Sequence, residues 1–122
     1  MTRLYLPVTV RLLAELQERG SLTVGDDVVV VADDEAGQED VEYDALMTAA
    51  ETSALRAAEL DPEEWRRVVV VAESATVPSV VSRADVVAVH ADAEVLDDLS
   101  EPDLLDDLGW YATQEIADLL DG

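Results

Sequence analysis

His90 is the single histidine of this 122-residue chain and the one side chain that titrates near neutral pH. It closes an apolar run that begins at Val86, and Asp92 follows two residues later. Other oxygen-bearing side chains sit in the same kind of place, just after an apolar run. They are Thr9, then Asp33, Asp34 and Glu35, then Glu73 and Ser74. In a parallel sheet such positions gather at the carboxyl edge of the strands, where ligands bind. Asp33, Asp34, Glu73, His90 and Asp92 are therefore the candidate ligand or cation edge. Their hard oxygen donors suit Mg²⁺ or Ca²⁺, and no other cofactor is indicated. The bland alternative is that acidic residues occupy any loop of a chain with 29 carboxylates, and that His90 is an imidazole held by a neighbouring carboxylate.

Other chemistries find less support. A nucleophilic triad would need Ser74 beside a base oriented by a third group, and no nucleophile elbow surrounds Ser74. With no cysteine there is no disulfide framework and no thiolate ligand or nucleophile. None of the five glycines belongs to a phosphate-cradling loop, and lysine is absent. Arg66-Arg67 could clamp an anion or pair with local carboxylates. Trp110 and Tyr111 are candidate interaction anchors, because large aromatics concentrate binding energy at interfaces. The alternative is that they pack the last helix onto the sheet.

The charge balance is 29 acidic against 7 basic residues, a net −22. Such a surface repels phosphates and anionic headgroups, so neither direct nucleic-acid binding nor membrane association is expected. The negative charge can keep the protein soluble, suit high salt, mimic a nucleic acid, or face a basic protein partner. No stretch approaches the apolar length of a membrane span, and the N-terminus lacks the basic-then-apolar layout of a signal peptide. A soluble, cytoplasmic protein is expected. Lysine, asparagine and phenylalanine are missing and Ile116 is the single isoleucine. Those residues share A/T-rich codons, which points to a GC-rich genome.

The elements that would position these residues are legible as patterns. Arg67 to Ala72 holds four consecutive valines, an unbroken β-branched run of the kind found in strands covered on both faces. Val28 to Ala32 repeats it. Arg3 to Pro7 predicts a first strand with Leu4 and Leu6 on one face and Tyr5 on the other, stopped by Pro7. Thr9 caps a helix carrying Val10, Leu13 and Leu16, which ends at Gly20. A longer helix spans about 39–60, its inner face Tyr43, Leu46, Met47, Ala50, Ala54 and Ala57. Asp85 to His90 is a fourth strand. Residues 93–108 read as two short helices divided by Pro102, 109–111 as a turn, and Thr113 as the cap of a final helix. Strands alternating with helices predict one α/β domain over residues 1–122. It would hold about four strands, in a mostly parallel or mixed sheet, under about four helices.

Five segments carry a resemblance: Arg3-Leu4-Tyr5-Leu6-Pro7, Glu42-Tyr43-Asp44-Ala45-Leu46, Arg66-Arg67-Val68-Val69-Val70, Val87-Ala88-Val89-His90-Ala91-Asp92 and Trp110-Tyr111-Ala112-Thr113-Gln114-Glu115. In that order they resemble a family of small proteins from high-GC actinobacteria, a domain of unknown function. The loop 33–40 and the segment before Trp110 are shorter than is usual there. The resemblance implies an actinobacterial origin and transfers no catalytic residue.

The expectation is a non-enzymatic interaction or regulatory domain. The alternative is a small enzyme, or a ligand- or divalent-cation-binding protein, using the acidic strand-end edge. Open sheet edges also leave room for a homodimer.

Overall fold

The computed structural model describes residues 2–31, 39–92, 94–96 and 108–121. In chain order its elements are β1 (Thr2–Val8), α1 (Val10–Arg19), β2 (Ser21–Thr23), β3 (Val29–Val31), α2 (Glu39–Ala57), β4 (Val68–Ser74), β5 (Val80–Ser82), β6 (Val86–Ala91), β7 (Gly109–Tyr111) and α3 (Ile116–Asp121). Short 3₁₀ turns lie at Pro62–Glu64, Arg83–Asp85 and Thr113–Glu115.

The valine run forms the middle of the structure, as its composition predicts. Val68, Val70 and Ala72 point to one face of the sheet, packing with Leu4, Leu6 and Val8 of β1 under α1, α3, Leu22 and Val81. Val69 and Val71 point to the other, with Tyr5 under the Ala45–Ala49–Ala50 stripe of α2. Val69 and Val70 are both 0% exposed, and each such valine contributes roughly 1.5–3 kcal/mol over an exposed one.

The strand directions overturn the parallel or mixed sheet. The five-stranded sheet has the order β3-β1-β4-β6-β7, and each of its pairings is antiparallel. β2 and β5 form a separate antiparallel pair. β3 and β4 do run the same way and are joined through α2, but β1 lies between them. The helical crossover therefore yields no parallel neighbours. An unbroken valine run reports burial on both faces, and helices on both faces of an antiparallel sheet provide that equally well. The helices differ too: among the described residues there are three α-helices, and the pair expected over 93–108 lies largely outside those residues.

Other elements depart from the sequence pattern for local reasons. Pro7 does not stop β1, which continues to Val8. β3 pairs only with Arg3 to Tyr5, so no bond to that strand is lost at Pro7, whose carbonyl accepts from Arg56 at 3.4 Å. β3 is an edge strand with Val30 43% exposed, not a doubly covered one. The inner face of α2 is Ala45, Ala49, Ala50, Ser53, Ala54 and Ala57, while Tyr43 points outward at 52% exposure. Small side chains let this helix lie close to the sheet. β6 carries a bulge: Val71 pairs with Ala88 but Ala72 with Val86, which turns Val87 out to solvent.

Helix α1 follows its sequence signals. The Thr9 hydroxyl accepts from the Leu12 N–H at 3.3 Å, and Gly20 adopts the left-handed φ of 76° that ends the helix. Thr113 instead lies inside a 3₁₀ turn. Its hydroxyl donates to the Val86 carbonyl at 2.9 Å, and the Glu115 carboxylate accepts from the Ala112 N–H.

Ser53 ties α2 to the sheet. Its hydroxyl, 0% exposed as a residue, donates to the Val8 carbonyl at 2.6 Å and accepts from the Val68 N–H at 2.8 Å. Ser53→Ala leaves a donor and an acceptor buried without a partner. We expect a loss of about 2 kcal/mol, read as a lower urea midpoint with an unchanged slope.

Candidate functional site

Antiparallel pairing divides the candidate edge between opposite ends of the sheet. At one end, Glu73 on β4 lies opposite Arg3 on β1, and Arg3 also lies opposite Val31, the last described residue of β3. At the other, Val68 lies opposite Ala91, next to Asp92. About six residues of extended chain separate Glu73 from Arg67, the partner of Asp92, or roughly 20 Å. Ser74 and His90 are likewise apart, since His90 sits opposite Val69. Asp33, Asp34 and Glu35 lie outside the described residues.

Glu73 belongs to a four-residue cluster. Arg3 donates to its Oε1 at 2.7 Å and also to Glu42 on α2. Hydrogen bonding to Glu73 raises the guanidinium pKa. Tyr5 stands on the same face, and burial, with Glu42 adding to it, pushes its phenol up.

Asp92 is held more tightly. Its Oδ1 accepts from the Arg67 guanidinium at 2.7 Å, and its Oδ2 from Arg67 Nε at 2.9 Å and the Arg67 backbone N–H at 2.8 Å. Arg67 is 1% exposed and Asp92 6%. The planar fork matches the carboxylate, and the shared backbone bond fixes the register of β4 against β6. Arg66 beside it donates to the Asp92 carbonyl at 3.0 and 2.8 Å and to the Leu119 carbonyl at 3.0 Å. The neighbouring arginines thus join β6 and α3 to the start of β4. Of the readings open to Arg66-Arg67, Arg67 takes the pairing with a carboxylate.

His90 lies between Val69 and Trp110 on adjacent strands. Burial lowers its pKa, so the imidazole is neutral at pH 7. Trp110 and Tyr111, in the sequence a turn, form β7. Tyr111 packs on the α1–α3 side of the core, and Trp110 projects from the opposite face, 60% exposed. Among the described residues no group of three or more His, Asp or Glu side chains is placed to hold a metal ion. A pocket of about 60 Å³ under Leu6, Leu12 and Leu22 is far smaller than an ordinary ligand site. A shallow depression of about 450 Å³ is lined by Gly20, Ser82, Arg83, Ala84, Val86 and Thr113, with Arg83 donating to the Gln17 carbonyl at 2.9 Å.

These contacts predict distinct behaviour on mutation. Asp92→Ala strands a buried guanidinium and should cost about 3–5 kcal/mol, whereas Arg67→Met with Asp92→Leu should recover much of that loss; urea unfolding of the three proteins gives the comparison. His90 has a lower pKa folded than unfolded, so the unfolded chain binds its proton first as pH falls. Its contribution is complete above the unfolded value of about 6.5 and is lost as pH drops from there toward the folded value. His90→Asn should therefore flatten the fall in Tm between about pH 7 and 5.

No curated protein and no solved structure matches the chain. A family of proteins does, over residues 2–120, nearly the whole length of the fold just described. The chain belongs to that family, the Family of unknown function (DUF6912).

Proposed function

We propose that this protein is a non-enzymatic interaction domain whose negative surface receives a basic protein partner. The observation that carries the reading is the division of its carboxylates. Among the described residues with a defined exposure, every acidic side chain that is even partly buried has a partner. Asp27 has Arg56, Glu42 and Glu73 have Arg3, Glu64 has Arg11, Asp92 has Arg67 and Glu115 has the Ala112 N–H. The rest, from Glu15 and Glu18 through Asp44 and Glu51 to Asp85 and Asp118, are exposed. Among these described residues no carboxylate is held buried and unpaired, the state in which it would be raised toward acid or base chemistry at neutral pH. What remains is a field of one sign over a surface with few cations, which speeds and orients encounters with a basic molecule.

The same proposal takes the protein to be cytoplasmic and of high-GC actinobacterial origin, supported by the missing A/T-coded residues. Among the described residues no helix is long and apolar enough to cross a membrane.

Capture on the tagged protein from a high-GC actinobacterial lysate should retain basic proteins that leave as NaCl rises. Retention of acidic proteins alone, or of nothing, overturns the reading. Thermal melting supplies an independent check: Mg²⁺, Ca²⁺ and NaCl at matched ionic strength should raise Tm equally, because each only screens charge. A rise specific to a divalent ion and lost in Asp33→Ala would instead favour a cation site.

A further inference from the structure

The segment Gly109–Glu115 is mostly consumed by the fold. Tyr111 packs in the core, Thr113 bonds the Val86 carbonyl, and Glu115 bonds the Ala112 N–H. Trp110 is not used in this way. It stands on the last strand of the sheet, directly opposite His90, with 60% of its surface open. Helix α2 packs over β1, β3 and β4, and Trp110 rises from that same face two strands beyond β4. Among the described residues β7 pairs with β6 and has no strand on its other side. An exposed indole on an unpaired strand edge offers two kinds of contact, backbone hydrogen bonds along the edge and an aromatic face for a cation.

Charge selects the occupant. The chain carries −22, so a second copy on this edge would bring the same sign. Four of the seven arginines are already bound to carboxylates, Arg3, Arg11, Arg56 and Arg67, so a second copy has few cations to offer this edge. Neutral His90 beside the indole adds no repulsion toward a cation at pH 7.

We propose that β7 and Trp110 form the docking site for an extended, arginine- or lysine-rich segment of a partner protein. The segment adds as a further strand on the β7 edge and sets one cation over the indole. Strand addition supplies affinity through the backbone, and alternate side chains supply selectivity. This rests on the interaction reading above and names the place and the chemistry of the contact.

The test is calorimetric titration of the full chain with a short peptide alternating arginine and valine. The same peptide interrupted by proline, and one alternating glutamate and valine, serve as controls. Binding of the arginine peptide should weaken with NaCl, and the glutamate peptide should not bind. Trp110→Ala should weaken binding about tenfold, between the sizes of an exposed and a desolvated cation–π contact, and proline interruption should weaken it at least as much. If Trp110→Ala and the interrupted peptide both bind as well as the originals while salt still weakens binding, the docking site is wrong and a diffuse acidic surface remains. If no peptide binds at low salt, the interaction reading fails with it. Trp110 is exposed, so the variant should keep its circular dichroism spectrum, and the interrupted peptide tests strand addition on unaltered protein.

Discussion

The strand Val68–Ala72 has no solvent face, and most of the architecture follows from that constraint. A strand in the centre of a sheet has neighbours on both sides, here β1 and β6. When its side chains are apolar on both faces, each face also needs a cover. Helices α1 and α3 with the β2–β5 pair serve one face, and the alanine stripe of α2 serves the other. The ends of this dry centre are where polar groups must be satisfied. Ser53 performs that role between Val8 and Val68, and Arg67 with Asp92 performs it one residue further along. A buried ion pair of this kind contributes little net stability, because both ions are taken out of water, but it penalises any register in which the partners miss each other.

The electrostatics divide accordingly. Among the described residues the fold spends most of its scarce arginines where carboxylates are partly or fully buried, and leaves the outward-facing ones, Asp61 beside Arg11 apart, without an ion-pair partner. Self-repulsion among the latter opposes compactness and is relieved by salt. The interior therefore has to be well packed for the exterior to be so negative.

How much of this was legible in the sequence depended on how local the cause was. The Thr9 cap, the Gly20 stop and the opposite faces of Leu4, Leu6 and Tyr5 are set by neighbours a few residues away, and they read correctly. Burial of Val68–Ala72 on both faces also read correctly, since composition encodes it. Strand direction did not, because valine runs report coverage and carry no sign of orientation. β2, β5 and β7 are three residues each, too short for an alternating pattern to emerge from noise. The inner face of α2 was drawn through Tyr43 and Met47 by hydrophobicity, while close approach to the sheet selected alanine and Ser53. Glu73 and Asp92 were grouped on one edge for the same reason as the sheet was misread: strand ends were assumed to share a side, and antiparallel pairing puts these two at opposite ends. The partner of Asp92 lies 25 residues away, and only the fold brings Arg67 to it.

The Ser53 bridge also bears on motion. Its hydroxyl belongs to α2, yet both groups it satisfies belong to the central strands. Lifting the helix would expose a bare carbonyl and amide at the join of β1 and β4, and separating those strands at that end would leave the hydroxyl stranded. Helix and sheet are therefore bound into one cooperative unit, and α2 is not a free-standing lid. In hydrogen exchange the Val68 amide would be released only by openings that undock the helix, so its protection follows the slowest-opening part of the molecule.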